Sequence, residues 1–479
     1  MDGPELARTP RFSSVVTWLA VLVLVVAAGG LGWLMYAPPR LGDVETAEQA
    51  LPQIVGRTMD LRAALMRASP WERRVYDLVA GDVQRDLQEA IGWYEELARE
   101  SPDSAVRAQL LILEGEAGRL RRLRAQTEEW PSHDWLRQLI RRAYLEPAET
   151  ADDDAEFRPE QVGEILDGWF YDRLAIRWGQ HTGATALVAT ARTDLAERAA
   201  PLLWRARGLA AIEVLTVLLG GGALVVGATR IRRARTAVRV AGAPLPPPWP
   251  GRTGVVVLVR GAAIGAVGTF TLGVALWSLE QRYPMARIFG WPVYVLMFLP
   301  TLLLARRHLL RPWGLDLAAA FGLRPEPGGI RRLLLATFML IGIGTLADFA
   351  ISLIAENLRL STHWTEWFSE DLVWGGPAAL VTALVEVLVL APVLEELVFR
   401  GLLYGTLRRC LGPLSAAAVS AGLFAVGHGY GMSGLASVFT AGVIYAWAYE
   451  QTGSLLPGMA AHAASNLLAT LTVAGLLRA

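Results

Sequence analysis

Long apolar runs constrain this chain more than any other feature. Residues 14–36, SVVTWLAVLVLVVAAGGLGWLMY, hold no charge and are long enough to cross a hydrocarbon layer of ~30 Å as a helix. Comparable runs recur at about 208–228, 254–279, 288–305, 330–354, 375–394, 412–428, 433–449 and 455–477. Backbone polar groups in lipid must bond within their own segment, so such runs fold as helices. The expected fold class is all-α, a polytopic integral membrane helix bundle of about nine spans. Charged residues make up only 19% of the chain and mean hydropathy is +0.35, both outside the range of ordinary soluble domains.

The formal net charge of zero hides two unlike parts. Residues 38–200 carry 21 Arg against 30 Asp and Glu, a surplus of nine negative charges, and the remainder has the opposite surplus. All basic side chains are Arg, with no Lys anywhere. They are scattered rather than clustered, which fits codon usage better than a guanidinium site for phosphate or carboxylate, and the absence of a strongly basic domain argues against nucleic-acid binding. The single Cys410 excludes an intramolecular disulfide.

Arg8 and Arg11 precede the first run, and six Arg without an acid fall between 229 and 253. By the positive-inside rule both stretches are cytoplasmic. The expected organisation is then a cytoplasmic N-terminus (1–13), an uncleaved transmembrane anchor (14–36), an extracytoplasmic helical domain (38–205), a transmembrane helix (206–228), a basic cytoplasmic linker (229–253) and a membrane bundle (254–479). Within 38–205, Leu87, Ile91, Tyr94 and Leu97 recur at amphipathic-helix spacing. The run Ala90…Tyr94…Leu97…Pro102 resembles the end of a tetratricopeptide unit. The acidic cluster 149–154 reads as a solvated loop, and the Trp-rich loop 355–374 as an outer interface belt. His133, His181, His308 and His363 lie in polar stretches and are expected at the surface.

An ionisable group at membrane depth costs ~2.5–3.5 kcal/mol even on a lenient scale, so each needs a partner or a purpose. Glu395, Glu396 and Arg400 sit in one apolar run behind Pro392. Glu396 and Arg400, four apart, share a helix face and suit a carboxylate–guanidinium pair, which leaves Glu395 free to face a cavity as a general base. His428 ends an Ala- and Gly-rich run that includes Phe424, and His462 and Asn466 are again four apart. Gly422, Gly427 and Gly429 among the neighbours of His428 would permit close helix approach. Span counting puts Glu395 and His428 toward opposite ends of their helices. Either the first helix runs on to about Arg408, which its composition favours, or the segment 412–431 is bent and re-entrant.

The ordered series E-E-x-x-x-R, F-x-x-x-H and H-x-x-x-N in apolar helices resembles the CPBP family, which includes the type II CAAX prenyl proteases and bacteriocin-processing and immunity proteins. The resemblance covers about 375–477. It implies an intramembrane endopeptidase in which Glu395 and His428 activate water, His462 and Asn466 stabilise the oxyanion, and Glu396, Arg400 and Phe424 support the site. The substrate would be a membrane-associated peptide or protein, the setting the lipid bilayer of a bacterial-type inner membrane, and the 38–205 domain would receive a protein partner. Glu395, His428 and His462 could also bind a divalent metal such as zinc as a two-His, one-carboxylate set, although no H-E-x-x-H occurs. The alternative is a non-catalytic membrane scaffold or immunity protein built on the same bundle.

Overall fold

The computed structural model describes residues 12–36, 46–80, 82–131, 134–145, 157–233, 238–283, 290–360 and 362–478. Arg8, Arg11, His133 and the acidic cluster 149–154 lie outside them. Every regular element among the described residues is helical: α1 (Ser14–Tyr36), α2 (Ala47–Leu65), α3 (Pro70–Ala80), α4 (Val83–Glu100), α5 (Ser104–Glu116), α6 (Leu120–Glu128), α7 (Trp135–Tyr144), α8 (Pro159–Gly163), α9 (Gly168–Thr182) and α10 (Thr185–Arg233). The bundle continues with α11 (Gly251–Glu280), α12 (Trp291–Trp313), α13 (Gly329–Asn357), α14 (Pro377–Leu407), α15 (Pro413–Val426), α16 (Met432–Thr452) and α17 (Leu456–Leu477). Seven of these helices are long and apolar enough to span a bilayer, and Ser14–Gly30 and Pro413–Val426 are shorter apolar helices. The nine expected runs are thus all helical.

Helices α2 to α9 and the start of α10 form the polar domain. Its core is made by the residues at helical spacing, with Leu87, Ile91, Tyr94 and Leu97 all buried. Asp82, Asp103 and Asp134 cap α4, α5 and α7 by accepting backbone N–H groups, which fixes where each helix begins. Arg198 on α10 bridges Asp60 of α2 and Asp172 of α9. Domain and span share one helix: α10 runs 49 residues, about 74 Å, so the expected boundary at 205–206 falls inside it.

The chain between α10 and α11 is more than a solvated linker. Val240 and Ala241 donate N–H bonds to the Thr452 carbonyl, Ala243 donates to that of Gly453, and the buried Trp249 indole donates to Thr406 Oγ1. It straps the ends of α14 and α16 together at the end of the bundle opposite the polar domain.

Close helix approach falls away from the glycines near His428. A Cβ at Gly422 would meet nothing within 4 Å, and Gly429 lies in a turn at φ +71°. Tight crossings lie between α10 and α13, where a Cβ on Gly220 would come within 2.2 Å of the Gly342 Cα, and between α11 and α12, where one on Gly265 would meet the Met297 carbonyl oxygen at 2.2 Å. Only hydrogen fits at that distance.

The loop between α13 and α14 departs furthest from expectation. Trp364 is fully buried in the core of the polar domain rather than in an interface belt. His363 is half-buried and not a surface residue: its Nε2 lies 3.2 Å from Glu96 Oε2 on α4. Around it, Thr46 Oγ1 donates to Glu370 (2.7 Å), the Trp374 indole donates to Gln53 (2.7 Å), and Arg85 pairs with Glu356 (2.6 Å). Trp364, with Val373 and Leu477 in the same core and a ring of polar contacts, docks the domain on the bundle.

Candidate active site

The site begins with an irregularity in α14. The helix is unbroken from Pro377 to Leu407 but turns to i→i+5 bonding over Glu386–Leu390 and again over Glu396–Tyr404. Such π-turns cluster at functional sites. In the first of them the Ala391 N–H reaches the Glu386 carbonyl. The next bond in that register would run from residue 392 to Val387, and Pro392 has no N–H to give. Asn466 Nδ2 on α17 donates to the Val387 carbonyl instead, at 2.8 Å. A sequence-level defect in one helix is thereby repaired by a side chain of another.

Continuity of α14 also answers the question of depth. Glu395 lies 12 residues before Leu407, about 18 Å along the helix, and the 14 residues of α15 lift His428 by about 20 Å from the same end. The Ser420 hydroxyl donates to the Phe399 carbonyl at 2.7 Å, which sets the register between the two helices. The longer-helix expectation describes what is seen.

The carboxylates then diverge. Glu396, fully buried, receives Arg400 Nη1 at 2.9 Å and faces His462 Nδ1 at 3.2 Å. Arg400 is also fully buried, with its guanidinium 4.1 Å above the Phe424 ring and 5.6 Å from that of Tyr445. Gly442 makes room for it, since a Cβ there would sit 2.9 Å from Arg400 Nη2. Few oxygen acceptors reach the guanidinium, so ring faces supply much of its stabilisation, worth ~2 kcal/mol or more when desolvated.

Glu395 has a different set of neighbours. Its Oε1 accepts from the Tyr294 hydroxyl at 2.5 Å, and its Oε2 lies 3.7 Å from His462 Nε2. That Oε2 is buried with no hydrogen-bond partner among the described residues. One imidazole thus lies between two carboxylates, and its ring stacks on Tyr445 (5.8 Å) and meets Phe424 edge-on (6.1 Å).

His428 joins this group through Phe424, whose ring centroid is 4.6 Å away, and through Tyr430 at 5.5 Å. Its Nδ1 lies 2.8 Å from the Phe424 carbonyl. A carbonyl can only accept, so that contact assigns a proton to Nδ1 and leaves Nε2 as the ring nitrogen free for another partner. Three residues on, the Gly431 N–H donates to Glu366 Oε2 at 2.9 Å, which ties this turn to the loop carrying Trp364.

The structure therefore brings Glu395, Glu396, Arg400, Phe424, His428 and His462 together and sets Asn466 one turn beyond His462 on the Val387 carbonyl. Sequence reasoning missed Tyr294 and Tyr445. A lone tyrosine in an apolar span between Pro292 and Pro300 carries a hydroxyl to membrane depth, and that was the available signal for Tyr294. The metal reading fares differently: among the described residues no three His, Cys, Asp or Glu side chains are arranged to hold an ion. The Nδ1 contacts of His462 and His428 leave each Nε2 open, but the side chains do not converge on one point, and no step is drawn through a metal.

Residues 377–468 match the family model described as type II CAAX prenyl endopeptidase Rce1-like. This segment is Rce1-like. The match runs from the start of α14 through Asn466, is consistent with the CPBP family, and holds every motif residue singled out in the sequence. It supports a membrane-embedded protease. The Rce1-like segment excludes Tyr294, which reaches it from α12. No curated protein and no solved structure matches the chain.

Proposed function

We propose that this protein is an intramembrane endopeptidase that hydrolyses a peptide bond in a membrane-associated protein or peptide. The observation that carries this reading is the placing of His462 between Glu395 and Glu396 inside the Rce1-like segment. In the proposed reaction Glu395 Oε2, the carboxylate oxygen without a hydrogen-bond partner, takes a proton from water, and His428 Nε2 orients that water. Hydroxide adds to the scissile carbonyl. His462 and the second N–H of Asn466 stabilise the oxyanion, as preorganised donors do in a water-poor site. Glu395 then gives the proton it took from water to the leaving amine as the C–N bond breaks.

Glu396 and Arg400 keep the His462 ring oriented and do not touch substrate. Tyr294 holds Glu395 by its other oxygen and so aims Oε2. In this reading the N-terminus and the strap between α10 and α11 are cytoplasmic, the polar domain is extracytoplasmic, the membrane is a bacterial-type inner membrane, and the polar domain receives a protein partner.

The test is cleavage of candidate peptides by the full chain in a defined bilayer, comparing native protein with Glu395→Ala and His462→Ala. Loss of at least about a hundredfold is expected for each, the usual weight of positioned acid–base groups. Equal cleavage by all three proteins would overturn the assignment.

A further inference from the structure

The polar domain is acidic overall, yet one cavity in it reverses that sign. A cavity of about 270 Å³ between α2, α9 and α10 is lined by Arg67, Arg173, Arg177 and Arg192, with Ile176 and Leu195 as apolar wall. No acid lines it. Elsewhere in the domain Arg62, Arg85, Arg198 and Arg207 each contact a carboxylate, as Arg173 and Arg177 of the cavity contact Glu116.

The nearest acid is already taken. Glu116 is buried and accepts from Arg177 through Nε (2.8 Å) and Nη2 (3.1 Å), from Arg173, and from the Tyr144 hydroxyl (3.0 Å). Burial works to raise the Glu116 carboxyl, but the Arg177 bonds and the Arg173 charge outweigh it and hold the group below its ordinary range. One ionised carboxylate therefore serves two of the four cations, Arg173 and Arg177. Arg173 Nε is buried with no hydrogen-bond partner, and Arg67 and Arg192 have no acidic partner among the described residues.

Guanidinium groups repel across so small a space, and an anion bridging them relieves the repulsion while accepting paired N–H bonds. We propose that this cavity binds a small soluble oxyanion of two or more negative charges, a phosphate or a polycarboxylate. The volume lies at the low end for small-molecule sites, which favours a compact ligand, and the Ile176 and Leu195 wall lowers the local dielectric under the charges.

The experiment titrates inorganic phosphate and citrate into the full chain by calorimetry, with chloride at matched ionic strength as reference. Saturable binding of at least one of the two is expected, weakened at least about tenfold in Arg67→Gln/Arg192→Gln, since each lost charge-assisted bond is worth about a factor of ten. Arg99→Gln, an exposed arginine on α4 remote from the cavity lining, should bind as the native chain does. Calorimetric curves identical to chloride, or equal affinity in the double variant, would overturn the proposal. So would binding that appears only after Glu149, Asp152, Asp153 and Asp154 are neutralised, because the chain's own acids would then be the occupant. Repeating the titration in nanodiscs with and without phosphatidylglycerol separates a lipid source: free phosphate should bind equally in both, and its exclusion by the anionic lipid counts against a soluble ligand.

Discussion

At the scale of single residues, two bonds decide most. The Tyr294 hydroxyl bonds Glu395 Oε1, and in the proposed reaction this leaves Oε2 as the oxygen that acts. Tyr294→Phe keeps the ring and removes that bond, a loss of about 1.5–3 kcal/mol for a hydrogen bond to a charged group. A fall in kcat/KM of about ten- to a hundredfold is expected, with a displaced acid limb of the pH–rate profile; an unchanged profile would show that Tyr294 only packs. The second is Glu72 of α3, which receives Arg207 of α10 at 2.8 Å and the Ser69 hydroxyl at 2.6 Å. The Arg207 and Ser69 bonds lower its carboxyl to about 2. A depressed folded-state value means that the contribution is complete above the ordinary carboxylate range and fades as pH falls through it toward about 2. Hydrogen exchange in α3 should accelerate over that window in native protein, and Glu72→Gln should show fast exchange at neutral pH as well.

At the scale of elements, α14 is the part whose behaviour sequence and structure explain together. Pro392, just beyond the π-turn Glu386–Leu390, has no N–H to offer the Val387 carbonyl, and Asn466 supplies one. Asn466→Ala should therefore destabilise the protein by about 1–3 kcal/mol, the cost of a buried polar group left unmade. Pro392→Ala restores an N–H at that position, so the double variant should recover stability beyond the sum of the single changes. Denaturant titration of the four proteins reads the coupling; strict additivity would mean that Asn466 has no structural part. The apolar runs, the helical spacing of the domain core and the ordered motif were all legible in the sequence, because periodicity and charge placement are local properties. The π-register was not, since it depends on which helix packs beside the proline.

At the scale of the whole molecule, the polar domain and the bundle are joined by the continuous helix α10 and by the loop between α13 and α14. Trp364 fills the domain core, His363 reaches Glu96, and Glu366 holds the turn that carries His428. Trp364→Ala should cost about 3–5 kcal/mol, as truncating a buried aromatic does. Because the cavity opens at the junction, calorimetry should separate one thermal transition into two, domain before bundle. A single unsplit transition at lower temperature would place the loss in one cooperative unit.

What the sequence determined by itself is the membrane-spanning helical character, the order of the apolar helices and the ordered motif that the family match covers. These follow from hydrophobicity and spacing along the chain. Only the tertiary structure decided that Glu395 and Glu396 have separate neighbours, that Tyr294 comes in from another helix, that Asn466 repairs a proline gap, and that four scattered arginines share one cavity. Each of these joins residues distant along the chain, and such meetings are fixed by packing, which no local pattern encodes.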